Sequence, residues 1–214
     1  MADAAPLIEL YEQPPTRSQR VKWALEELGL PYKAHLVDLM KGEQDEPAYR
    51  AIHPLGVVPA VRTPGYLMFE SIAIVMQVID EHPGAALAPP PGSAARAQYY
   101  QWCLFAASEV DAALMTYFDN ALRPPEGMRP PGATHDPQQA ERGRYVFEIR
   151  ARILTEALAG RSYILGDHFS GADIAVGHCC FMAIHMDLLG GFPELQAYHD
   201  RLRRRPAYER AYAL

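Results

Sequence analysis

The chain is poor in cysteine, and the little it has forms no recognisable motif. Cys103, Cys179 and Cys180 are the three cysteines among 214 residues. The number is odd, no CxxC pair occurs, and the spacing fits no zinc site. A disulfide framework is therefore excluded, and a chain of this length buries enough core without one. No run of about 18 apolar residues is present, so no membrane partner is expected. The opening Met1-Ala2-Asp3-Ala4-Ala5-Pro6 has neither the basic nor the apolar region of a signal peptide. With the unpaired cysteines, this gives the cytoplasm as the expected compartment. Positive charge is also scarce: 20 Lys+Arg against 26 Asp+Glu leave a formal net charge of -6. Recognition of phosphate needs a basic face, so nucleic acid is not an expected partner. The exception, Arg201, Arg203, Arg204 and Arg205, reads as the solvated end of the last helix, where cations suit the macrodipole.

What is present is patterned, and the pattern changes once along the chain. Leu7 to Tyr11 reads as a short strand, stopped by Gln13-Pro14-Pro15. Val21, Ala24, Leu25 and Leu28 then recur at helical spacing, with Gly29 placed to end the helix. Tyr32 to Val37 returns as a strand, as in a β-α-β crossover. After the polar stretch Lys41 to Glu46 and a helical piece at Ala48 to Ile52, Pro59 is lodged against a strand and marks a special backbone site. The strands Ala60 to Arg62 and Tyr66 to Phe69 form a hairpin about Pro64-Gly65, and Ser71 to Glu81 is a helix. From Pro83 to Gly92 the Pro- and Gly-rich chain reads as a stiff linker. Strand signals vanish beyond it. Ala94 to Leu122, Pro137 to Leu158, Gly171 to Leu189 and Pro193 to Arg204 carry helical spacing, with a long breaker-rich loop at Arg123 to Asp136. The expected organisation is an α/β domain over residues 1–83 and an all-helical domain over residues 93–214.

Candidate chemistry sits at few places. Glu70-Ser71 falls where a strand ends and a helix begins. There Ser71 can offer its hydroxyl and free N–H groups to a carboxylate, and Glu70 can pair with an ammonium. The plainer reading of Ser71 is an N-cap. Ser170-Gly171-Ala172-Asp173 is a capping box by sequence, with Phe169 and Ile174 as staple. His178 and His185 lie seven residues apart with no carboxylate in step, so no metal site is expected. Cys179 and Cys180, on the same helix, read as buried and inert.

Three segments carry a resemblance: Pro15 to Tyr32 with Thr16-Arg17-Ser18-Gln19-Arg20; His53-Pro54-Leu55-Gly56-Val57-Val58-Pro59-Ala60 followed by Glu70-Ser71-Ile72-Ala73; and Phe169-Ser170-Gly171-Ala172-Asp173-Ile174-Ala175. In this order and spacing the chain resembles the cytosolic glutathione transferase superfamily, and within it bacterial theta- and beta-like members. The resemblance implies a thioredoxin-like α/β N-terminal domain, an all-α C-terminal domain, glutathione as co-substrate, a small electrophile as second substrate, a homodimer, and a role in detoxification. It implies that Pro59 is a cis-proline turning the Val58 N–H and C=O toward the tripeptide, and that Glu70 and Ser71 take the γ-glutamyl end. Lys41 and Gln44 resemble carriers of the contact to the glycyl carboxylate. His53 stands where the family usually has asparagine, and Val57 where a basic residue or glutamine is common.

Stabilising the thiolate requires a donor. The theta-like pattern, four residues before Arg20, selects Thr16; the beta-like alignment puts Arg17 where those members carry cysteine and leaves Ser18 next. Both hydroxyls stay open as the catalytic group, with N-capping as the other role for Ser18. Tyr11 reads as a core or pocket-wall residue. The electrophile's pocket is expected along Phe105, Ser108, Asp111, Met115 and Tyr117. Glutathione-dependent isomerisation, peroxidase chemistry and a non-catalytic interaction protein of the same fold are the alternatives.

Overall fold

The computed structural model describes residues 8–122 and 135–213. The chain divides into two compact units: residues up to Ala85 together with those from Pro206, and Ala86–Arg205. In the first unit β1 (Ile8–Glu12), α1 (Ser18–Leu28) and β2 (Tyr32–Leu36) form the crossover, and β1 pairs with β2 in parallel. The single turn α2 (Pro47–Arg50) precedes β3 (Ala60–Arg62), β4 (Leu67–Phe69) and α3 (Ser71–Asp80). β3 runs antiparallel to both β1 and β4, giving the order β2-β1-β3-β4. This is the thioredoxin-like sheet. Leu7 of the expected first strand lies outside the described residues.

The first unit's core follows from the spacing. Val21, Ala24 and Leu25 of α1, Ile74, Val75 and Ile79 of α3, and Leu10 and Val61 of the sheet are at most 1% exposed. Each such Val, Leu or Ile side chain contributes roughly 1.5 to 3 kcal/mol on burial. Gly29, at φ 64, lets the chain leave α1 in the left-handed conformation that a Cβ disfavours.

The second unit is helical in its described residues: α4 (Ala94–Phe105), a π-helical turn at Ala106–Val110, α5 (Asp111–Ala121), α6 (Pro137–Leu158), α7 (Gly171–His185) and α8 (Pro193–Leu202). The spacing predicts one helix from Ala94 to Leu122; the π turn interrupts it, rotating the helix beyond it about the axis. Residues 123–134 of the expected loop lie outside the described residues. α7 is apolar on every side, and Gly171 to Cys180 are all buried, so this helix is the unit's centre. Gly143 brings α6 against α5: a Cβ there would stand 2.6 Å from the Tyr117 nitrogen. The last helix, α9 (Pro206–Tyr212), groups with the first unit. Tyr208 meets Trp23 of α1 edge-on at 4.9 Å, and the Arg210 guanidinium pairs with Glu26.

Candidate functional site

Strand register gathers the candidate residues. His35, Tyr11, Ala60 and Phe69 form one row across β2, β1, β3 and β4. β1, β2 and β4 run one way, and β3 runs the other. The chain leaving β1 (Thr16, Ser18), leaving β2 (Lys41, Gln44), entering β3 (Val58, Pro59) and leaving β4 (Glu70, Ser71) therefore lies at one end of the sheet. A recess of about 460 Å³ opens at the opposite end, between Ile8, Leu30, Pro31 and the turn at Thr63 to Tyr66, and holds none of these residues.

The turn after β1 is organised around hydroxyls. α1 begins at Ser18 with Arg17 at its N-cap and no side chain bonding as cap from that position. The Thr16 hydroxyl takes the first free amide instead: Ser18 N–H donates to Thr16 Oγ1 at 3.2 Å. The Oγ atoms of Thr16 and Ser18 are 2.8 Å apart, and Ser18 Oγ donates to the Gln13 carbonyl at 3.4 Å. Ser18 is fully buried, whereas Thr16 is only half-buried. Ser18 is therefore not the N-cap, because the helix starts one residue earlier than that role requires, and the Thr16 hydroxyl takes the Ser18 amide from the turn ahead of the helix.

Across the same edge the Val58–Pro59 bond is cis. Among the described residues the Val58 N–H and C=O make no hydrogen bond, although Val58 is 9% exposed. Main-chain groups without a protein partner are open to pairing with a ligand or with water. Glu70 is exposed and holds φ 73, ψ 102 directly ahead of α3, and no side chain caps the helix. Its N-terminal amides are thus free of intrahelical partners. Behind Ser71 stands Arg20 of α1, 1% exposed, whose Nη1 donates to Ser71 Oγ at 3.4 Å. In the sequence Arg20 serves only to count the turn; a cation three and four residues before the apolar Trp23 and Ala24 is the signal that it turns inward.

The remaining candidates are placed less simply. Lys41 is exposed and pairs with Asp38 at 2.9 Å, and this hydrogen bond holds the Asp38 carboxyl below its usual range. Gln44 is buried, beside Gly56. Gly56 has φ +59, and a Cβ there would lie 2.6 Å from the Arg50 guanidinium carbon, so the turn before Val58 requires glycine. His53 is buried with its ring 4.8 Å from that of Phe69, and burial lowers its pKa. Tyr11 stacks on His35 at 4.9 Å, and burial raises its phenol, so it belongs to the core. In the helical unit Ser108 is exposed and bonds back to the Leu104 carbonyl, while Asp111 is buried and accepts from Cys179 Sγ at 3.4 Å. Three residues apart, they would share a face of a regular helix; the π turn separates them. All three cysteines are buried, and burial pushes the Cys180 thiol up to about 12. Among the described residues no cluster of His, Cys, Asp and Glu suits a metal, and no helix is long and apolar enough to cross a membrane.

Two family models match the chain. Residues 16–80 match the family model "Glutathione S-transferase, N-terminal domain", and residues 135–209 match "Glutathione S-transferase, C-terminal domain". Glutathione S-transferase hmp2 of Hypomyces subiculosus is 30% identical over 159 residues, covering 72% of this chain and 73% of that protein. Glutathione S-transferase Z2 of Arabidopsis thaliana is 27% identical over 201 residues, covering 91% and 85%. The crystal structure of the theta class glutathione S-transferase of Xanthomonas axonopodis pv. citri with glutathione bound superposes with a TM-score of 0.80 at 30% identity, over 98% of this chain and 99% of that one.

Proposed function

This chain belongs to the glutathione S-transferase family, and from that premise we propose that its first unit binds glutathione along the sheet end carrying Thr16, Val58, Glu70 and Ser71. It is a glutathione transferase with glutathione as co-substrate. The observation that carries the placement is the Val58 main chain, which makes no hydrogen bond within the described residues. An extended peptide laid beside it, ahead of Pro59, would satisfy both groups as an added strand does. The γ-glutamyl carboxylate then meets Ser71 and the amides of α3, and its ammonium meets Glu70. Arg20, buried behind Ser71, adds positive potential at the carboxylate. Lys41 and Gln44 would take the glycyl carboxylate, Lys41 by leaving its exposed pair with Asp38.

Thr16 is the donor to sulfur. Lowering a thiol pKa by about two units takes roughly 2.7 kcal/mol of preference for the thiolate. A hydrogen bond to a charged group supplies about 1.5 to 3, and the start of a helix about 0.3 to 1. Thr16 has both: a hydroxyl on a residue that is only half-buried and a place at the first amide of α1. The thiol proton leaves to solvent, and the thiolate forms a bond to an electrophilic carbon while that carbon's leaving group departs with its electron pair. Disulfide exchange would want a cysteine in the turn, and all three cysteines lie in the helical unit. We assign the chain to the theta-like type on the position of Thr16, and infer a cytoplasmic homodimer that removes reactive electrophiles. The test is Thr16→Val: turnover at a pH below the thiol pKa should fall about 10- to 100-fold, with glutathione affinity little changed. Turnover equal to the parent's would remove Thr16 from the reaction. A panel with an aryl halide, an epoxide, an enone and a hydroperoxide would define the electrophile.

A further inference from the structure

The Thr16 and Ser18 hydroxyls bring two protons to two links, and the link between them can run in either direction. Between Thr16 Oγ1, Ser18 Oγ and the Gln13 carbonyl run two links, of 2.8 and 3.4 Å, and Thr16 Oγ1 also accepts the Ser18 amide. Each hydroxyl has one proton. In one arrangement Thr16 donates to Ser18 and Ser18 donates to Gln13; the Thr16 proton is then turned inward and no donor faces a ligand. In the other, Ser18 donates to Thr16, which receives two donors and has its own proton free to point outward. The 2.8 Å link survives both, with donor and acceptor exchanged. Only the 3.4 Å link is lost, and it is longer than the usual O–H···O range of about 2.5 to 3.0 Å. Ser18 itself is fully buried, so a ligand at the turn does not reach it.

We propose that Ser18 is a positioning residue: with Thr16 it forms a two-hydroxyl rotor whose protons turn together when the thiolate binds, so that Thr16 donates to sulfur. This rests on the reading of Thr16 as the sulfur's donor. A hydrogen bond to a charged acceptor is about twice as strong as one between neutral groups, so it outweighs the long Ser18–Gln13 bond given up. Two donors into Thr16 Oγ1 polarise its O–H and strengthen the outward bond. The arrangement also keeps the resting turn satisfied, because without a thiolate both protons have partners inside the protein.

The experiment titrates the ultraviolet thiolate absorbance of bound glutathione in the parent, Ser18→Ala, Thr16→Val and the double variant, with affinity measured by calorimetry below the thiol pKa. Ser18→Ala should raise the bound-thiol pKa by about half to one unit, roughly three- to tenfold less thiolate at a pH below it, with affinity within about twofold. In the Thr16→Val background the same change should add nothing, because the group Ser18 acts through is gone. Ser18→Ala with the parent's thiol pKa, while Thr16→Val raises it, overturns the rotor and leaves Thr16 as donor. An equal rise in both backgrounds also overturns it, since Ser18 would then act without Thr16. If Thr16→Val keeps the parent's pKa, the donor assignment falls and the rotor with it. Should Ser18→Ala not fold, Ser18→Gly also removes the hydroxyl without adding bulk, and a thiol pKa no higher than the parent's would overturn the rotor there.

Discussion

Asp173→Ala separates what holds the helical unit together from what binds glutathione. Asp173 has no exposure, and its carboxylate accepts four hydrogen bonds: Oδ1 from Ile164 N–H at 2.8 Å and Tyr198 O–H at 2.8 Å, Oδ2 from Ser170 N–H at 2.9 Å and Ser170 O–H at 3.0 Å. Burial pushes its carboxyl up, and these four donors work against that shift. Alanine would leave two amides and two hydroxyls facing an apolar space. A buried donor without a partner costs about 1 to 3 kcal/mol. The hydroxyls can re-aim, and removing a buried carboxylate relieves some desolvation. The net loss should be about 3 to 5 kcal/mol, well above the roughly 0.5 to 2 kcal/mol that a capping residue alone contributes. Urea unfolding followed by far-ultraviolet circular dichroism measures it, and calorimetry at low temperature measures glutathione affinity, which should stay within about twofold of the parent. A loss under about 1 kcal/mol, or a tenfold weaker affinity with the unfolding midpoint unmoved, would refute the reasoning.

Ser71→Ala should weaken glutathione binding by about 1 to 3 kcal/mol, since it removes a donor from a bound carboxylate; a calorimetric dissociation constant equal to the parent's would take Ser71 out of the site. His199 is buried in α8, and burial depresses its pKa to about 4. The unfolded chain, at about 6.5, takes up the proton first, so this residue's contribution is complete above about pH 6.5 and is lost as pH falls toward about 4. The loss, about 3 kcal/mol, should be visible in urea midpoints against pH and be reduced in His199→Leu; an unchanged acid limb in that variant would contradict it.

Much of this was legible in the sequence because it is local. The hairpin at Pro64-Gly65, the end of α1 at Gly29 and the capping box at Ser170 depend on backbone preferences of a few neighbouring residues, and each stands where the sequence placed it. The π turn at Ala106–Val110 was not legible, since its residues are ordinary helix formers and the insertion is set by packing. Nor was the return of α9 to the first unit. Ala207, Tyr208 and Ala211 carry a helical stripe, but nothing in a stripe says which surface it covers.

By itself, then, the sequence indicated the order of elements through the first unit, the switch from α/β to helix near residues 83–92, and, as candidates, Thr16, Ser18, Lys41, Gln44, Val58, Pro59, Glu70 and Ser71. The elements and the switch come from periodicity and breakers, which act over a few residues; the candidate set comes chiefly from the resemblance to the family. Tertiary structure alone decided how those groups differ. Register across β1, β3 and β4 put them at one end of the sheet, burial closed Ser18 off while leaving Thr16 accessible, and Arg20 came behind Ser71 from 51 positions away. A hydroxyl's role depends on which acceptors surround its one proton, and that is fixed only when distant segments pack.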